Sequence, residues 1–148
     1  MIFPDLFRER TSQLMGDQRW PKMERAMGAP SPCSIRLHPV KSAGRTLFEG
    51  KTEGIVPWCE EGRYLTERPS FTFDPFLHGG AYYVQEASSM FVSHVLRQLV
   101  DGPKVALDLC ASPGGKSTAM LGALPPGSVL FCNEPIRSRA HVLAENLS

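Results

Sequence analysis

One stretch of the chain, residues 106–121, reads ALDLCASPGGKSTAML, and it limits the possible folds more than any other. An apolar run breaks at Cys110-Ala111-Ser112-Pro113-Gly114-Gly115 and resumes from Lys116 with helical spacing. A strand that ends in two adjacent glycines and restarts as a helix opens a layered α/β sheet, and its turn lets a ligand approach the backbone without a Cβ in the way. The pattern on both sides agrees. Ala87, Phe91, Val95 and Leu99 recur every fourth residue, with Met90, Val92 and Leu96 widening the stripe, so an amphipathic helix is predicted before the strand VALDL. After the turn come a helix, KSTAMLGAL, stopped by PPG, and a second apolar strand, SVLFCNE, ending in Glu134. Ile136, Ala140, Leu143 and Leu147 then mark another helix. Both strands are rich enough in apolar residues to be buried ones in a parallel sheet. The reading is the first part of a doubly wound α/β sheet, whose ligands sit beyond the carboxyl ends of its strands.

Upstream the text is different. Phe3, Leu6, Phe7 and Leu14 fall near helical spacing and Gly16 is a stop, after which Asp17 opens a second short helix ended by Gly28. GAPSPCS has linker composition, and SIRLHP, GIVPW and RYLTERP read as short strands. FDPFLHGGAYYVQ reads as an aromatic-rich loop. Residues 1–69 are therefore expected to form a small α+β module and residues 70–148 the start of a second domain.

Composition removes several classes. No apolar run reaches the roughly 18 residues of a membrane span, and MIFPDLFRER lacks the core of a signal peptide, so a cytoplasmic location is expected. Cys33, Cys59, Cys110 and Cys132 contain no Cys-x-x-Cys pair and no zinc spacing to histidine, which argues against a metal site or a disulfide framework. A net charge of +1 does not by itself announce a nucleic-acid binder.

Three ligand readings compete for the turn. A phosphate loop fits Gly115, Lys116 and Ser117 but needs a glycine where Cys110 stands. A G-x-G-x-x-G dinucleotide turn has no match here. The third combines the turn with Glu134, whose carboxylate is placed to accept hydrogen bonds from ribose hydroxyls, while an anionic tail lies near Lys116 at the helix opening. S-adenosyl-L-methionine has both parts. From the turn alone, a plain connection between strand and helix stays open. So do backbone capping for Asp108, and either helix capping or an approach to the ligand for Gln85, Glu86 and Ser88. Cys110 reads as a small residue in a tight turn and not as a nucleophile.

LDLCASPGGKST, YYVQEASSM and NEPIRSRAHVLAENL, in this order, together with SIRLHPVK, resemble the Sun (Fmu) family of S-adenosylmethionine-dependent RNA cytosine-5 methyltransferases. The resemblance runs from about Ser34 to the last residue. It implies the opening half of a class I (Rossmann-like) methyltransferase sheet preceded by an N-terminal module that contacts RNA, rRNA first and tRNA second. Carried over by position, Cys110, Ala111, Ser112, Pro113, Gly114, Gly115 and Lys116 form the cofactor loop, Glu134 binds the ribose, and Asp108 helps order the loop. Ser112 departs from the alanine more usual there. The family's nucleophilic and second cysteines lie in Pro-Cys and Thr-Cys motifs beyond a third strand, and neither motif follows the loop here. Pro32-Cys33 mimics one, but upstream of the loop, and is rejected. The expectation is an N-terminal part of such an enzyme, inactive alone and prone to self-association; a stand-alone RNA- or nucleotide-binding module is the alternative.

Overall fold

The computed structural model describes residues 3–148. It contains two compact units, one ending at Pro32 and one comprising Cys33–Ser148. In the first, α1 (Asp5–Gly28) is interrupted at Gly16, whose φ of 74° and ψ of 169° are open to glycine and costly for other residues. The glycine therefore stops one helical arm and starts the next. Trp20 is buried between Phe3 and Phe7, each 6.1 Å away centre to centre, and Arg8 pairs with Glu24 at 2.8 Å.

The second unit begins with an antiparallel sheet in the order β2-β3-β1-β4, built from β1 (Cys33–Leu37), β2 (Thr52–Val56), β3 (Cys59–Leu65) and β4 (Tyr82–Val84). Ile35, Leu65 and Tyr82 form one buried cluster. Val56, Cys59, Ala87 and Met90 form another, roofed by Trp58 and Tyr64. The stretch expected to be an aromatic loop carries more structure than that. Asp74 Oδ1 accepts the Phe76 amide at 2.8 Å and starts the short α2 (Pro75–His78), while its Oδ2 accepts the Tyr82 hydroxyl at 2.6 Å. Tyr82–Val84 then pairs with the free edge of β1, which single-sequence patterning does not reveal.

A 3₁₀ turn (Ala87–Met90) leads into α3 (Phe91–Leu99), followed by β5 (Val105–Asp108), α4 (Gly115–Leu121), β6 (Val129–Cys132) and α5 (Arg137–Leu147). β5 and β6 run parallel, with Val105 opposite Val129 and Asp108 opposite Cys132. The expected element order is present, with two corrections. The α3 stripe is rotated: Ala87, Met90 and Ser93 are buried, whereas Phe91 and Leu99 are exposed. Ser93 belongs inside because its hydroxyl donates to the Ala119 carbonyl of α4 at 3.2 Å. Nor are the two parallel strands buried on both faces. Exposure alternates along each, leaving Val105, Leu107, Val129 and Phe131 open.

α3 is also tied to β3 by a two-armed ion pair. Arg97 Nη2 donates to Glu61 Oε1 at 2.7 Å and Nη1 to Oε2 at 3.3 Å. Burial alone would raise the Glu61 pKa; hydrogen bonds and charge from Arg97 outweigh it and hold the carboxyl below its usual 4.5. With the folded pKa below the unfolded one, the pair's contribution to stability is present above about pH 4.5 and lost as pH falls through the folded value. The Arg97→Met variant loses the largest of the interactions that oppose burial. Its acid loss of stability is therefore expected at higher pH than in the wild type, as read from melting temperature against pH; superimposable profiles would refute this.

Candidate cofactor-binding site

The turn at residues 110–116 is held from every side by groups on different elements. From β5, Asp108 Oδ1 accepts the Cys110 amide at 3.2 Å and Oδ2 accepts the Ser117 hydroxyl at 2.8 Å. One short carboxylate thus fixes both ends of the turn. From the end of β6, the Asn133 carbonyl accepts the Ala111 amide at 3.1 Å and the Asn133 side chain donates to the Leu109 carbonyl at 3.0 Å. From α5, Arg139 Nη2 donates to the Ser112 carbonyl and Asn146 Nδ2 to the Pro113 carbonyl, at 3.2 and 2.7 Å. The Ser112 hydroxyl returns a bond to the Arg139 carbonyl at 2.9 Å, so the serine adds an anchor at this position.

The glycines have distinct reasons. Gly114 adopts φ +115°, and a Cβ there would stand 3.2 Å from Asn146 Cβ and 3.3 Å from Leu143 Cδ1. At Gly115 a Cβ would press on the Tyr83 ring at 3.2 Å. Within the turn Ala111 and Gly114 are buried, whereas Cys110, Pro113 and Lys116 face outward. Cys110 is exposed, while Cys59 is buried and its thiol pKa is raised, chiefly by burial. Metal-ligand clusters are absent among the described residues. No helix of the described residues is long and apolar enough to cross a membrane.

Glu134 follows the carboxyl end of β6, level with the turn. Its Oε1 accepts the Ile136 amide at 2.9 Å and its Oε2 lies 3.5 Å from Arg139 Nη2; the side chain is only 4% exposed. The carboxylate therefore doubles as a cap for the segment entering α5. Each of its oxygens keeps further lone-pair capacity to accept hydrogen bonds.

Two more residues complete the frame: Gln85, weighed above as a cap or a ligand neighbour, and Arg36, which the sequence reading did not single out. Gln85 is buried, and its Nε2 donates to the Gly115 carbonyl at 3.0 Å. Arg36, on β1, reaches the first turn of α4. Both stand in recognisable segments, SIRLHPVK and YYVQEASSM, yet nothing in their spacing tells that the two side chains converge.

A parallel strand pair with a braced turn after the first strand and an acid after the second is the opening of a Rossmann-like methyltransferase sheet. Solved structures share this fold. A methyltransferase homolog protein from Pyrococcus horikoshii superposes with a TM-score of 0.76 at 27% identity, covering 98% of this chain and 48% of that one. NSun6 from the same organism, solved with SFG, superposes at 0.77 with 18% identity over 98% of this chain and 62% of that one; at that identity the likeness concerns the fold alone. Residues 3–87 match the N-terminal domain of 16S rRNA methyltransferase RsmF, and the chain belongs to that family. Ribosomal RNA small subunit methyltransferase F of Erwinia tasmaniensis is 30% identical over the full chain, which spans 33% of the relative's length.

Proposed function

We propose that this chain carries the cofactor loop of an S-adenosylmethionine-dependent rRNA cytosine-5 methyltransferase and has no transfer activity by itself. The observation that carries the reading is the turn at residues 110–116, fixed by three elements beside the Glu134 carboxylate. In this reading Gly114, Gly115 and Lys116 receive the methionine end, with Cys110, Ala111, Ser112 and Pro113 shaping the wall. Glu134 receives the ribose. Bound S-adenosylmethionine supplies the methyl group; the chain's residues orient it.

The functional division is at residue 69/70, with RNA contact before it and the start of the methyltransferase domain after it. The loops around β1 and β3 support the first assignment. Lys41, Arg45 and Arg68 have no carboxylate partner among the described residues, and the guanidinium groups of Arg45 and Arg68 lie over Phe76 and Phe71 at 5.6 and 5.5 Å. Unpaired cations beside aromatic rings suit phosphates and unstacked bases. The relative's name, a ribosomal RNA methyltransferase, favours rRNA over tRNA.

Calorimetry with S-adenosylmethionine tests the site. Glu134→Ala is expected to weaken binding by about 1–3 kcal/mol, the scale of hydrogen bonds to a charged acceptor, and Lys116→Ala less, because Lys116 is an exposed point charge. Glu134→Gln keeps an acceptor for the Ile136 amide and separates the capping role from the ligand role. Unaltered affinity in Glu134→Ala would remove the ribose assignment. A second assay, labelled S-adenosylmethionine with total RNA, is expected to give no methyl incorporation with the 148-residue chain. Incorporation that disappears in Cys33→Ala would overturn both the inactivity and the rejection of Cys33.

A further inference from the structure

Arg36 is 8% exposed and sits in the middle of β1, a position that ordinarily takes an apolar residue. Burial opposes its charge, and it has no carboxylate within ion-pair distance among the described residues. Its donors go elsewhere. Nε donates to Gln85 Oε1 at 2.8 Å; Nη2 donates to Thr118 Oγ1 at 2.6 Å and reaches the Gly115 carbonyl at 3.5 Å. Gln85 closes the circuit through Nε2 to the same carbonyl at 3.0 Å. Gln85 is itself held by Ser34, whose hydroxyl donates to the Gln85 carbonyl at 2.6 Å and whose own carbonyl accepts the Gln85 amide at 3.2 Å. Two buried side chains, Arg36 on β1 and Gln85 just past β4, thus grip the first turn of α4, the segment that closes the turn at residues 110–116.

A hydrophobic residue at position 36 would fill the same space without the desolvation cost. What a guanidinium adds is direction, because its planar fork fixes two acceptors at once where a lysine ammonium offers one point charge. We propose that Arg36, with Gln85 as its partner, is a positioning residue for cofactor binding: it sets the Gly115–Thr118 backbone in the arrangement that receives the methionine end of S-adenosylmethionine. The proposal rests on the cofactor reading of the turn given above. It makes the antiparallel sheet part of the ligand site, although no sheet residue need touch the ligand.

The experiment combines amide hydrogen exchange with S-adenosylmethionine calorimetry on the 148-residue chain, for Arg36→Met, Arg36→Lys and Thr118→Val. In Arg36→Met, the Thr118 amide, bonded to the Gly114 carbonyl, is expected to exchange about tenfold faster, the equivalent of one or two lost hydrogen bonds. The Val129 and Asn133 amides, bonded to the Lys104 and Asp108 carbonyls in the neighbouring strand pair, are expected to keep their wild-type rates. Affinity is expected to fall by a similar factor, with Arg36→Lys intermediate. Should Arg36→Met fail to fold, Thr118→Val removes the short arm of the grip while leaving β1 intact, and the same local pattern is required of it. Unchanged exchange at the Thr118 amide, or equal acceleration across the strand pair as well, overturns the positioning role. So does wild-type affinity in a variant whose turn has loosened. Absence of binding by the wild-type chain strikes the cofactor reading instead, and the exchange data then decide separately whether Arg36 sets the turn.

Discussion

At micromolar concentration the 148-residue chain is expected to sediment as an oligomer. β5 and β6 pair only with each other among the described residues, and one face of this pair is open. Val105 is 76% exposed, Leu107 57%, Val129 49% and Phe131 58%, and Leu107 stands directly opposite Phe131 in the ladder. Apolar surface removed from water is worth roughly 25 cal/mol per Å², so covering a few hundred Å² yields several kcal/mol. The paired edges add unsatisfied backbone groups that another strand can use. Leu107→Glu with Phe131→Lys should shift the species to monomer and make the melting temperature independent of protein concentration, because both side chains are exposed within one copy. A clean wild-type monomer in sedimentation velocity would show that this face is tolerated in water.

The other large effect is expected at Gly62, in β3. A Cβ there would lie 2.7 Å from Val56 Cβ, 2.8 Å from Val56 Cγ2 and 2.9 Å from Met90 Sδ. Val56 and Met90 are fully buried, and Met90 sits in the 3₁₀ turn that leads into α3. The methionine tip can give way a little; the Val56 Cβ is fixed to the backbone of β2. Gly62→Val should therefore cost about 3 kcal/mol, the upper part of the usual range for overpacking, and Gly62→Ala less. Gly62→Ala in a Met90→Ala background should recover part of the loss if the Sδ contact matters. Denaturant melts measure all three, and wild-type stability in Gly62→Val would disprove the packing account.

Much of this was legible before the structure. The strand-glycine-helix passage and the acid closing the second strand locate the turn and Glu134, because period and turn chemistry are local properties of the chain. What patterning misses depends on neighbours. The apolar runs VALDL and SVLFCNE mark residues able to be buried, but burial needs a second layer, and no layer among the described residues covers Val105 or Phe131. Ser93 reads as polar and is buried because the Ala119 carbonyl waits for it. Arg36 carries no distinguishing mark in the sequence, and only the fold brings Gln85 and Thr118 within its reach. Glu134 is the subtler case. Its position follows from the sequence, whereas its turning inward onto Ile136 and Arg139 follows from the start of α5.

The chain has two tryptophans, and the fold assigns one to each compact unit. Trp20 is enclosed by phenylalanine rings in the unit that ends at Pro32, while Trp58 donates its indole N–H to the Ala87 carbonyl at 2.7 Å in the unit that begins at Cys33. The first unit packs three rings together and carries one half-exposed ion pair. Intrinsic fluorescence of the whole chain is thus a sum of two signals with separate origins. A single midpoint drawn from it reports on both environments together. Replacing Trp20 or Trp58 in turn by phenylalanine leaves one emitter per protein, and the melt of each unit can be followed by itself.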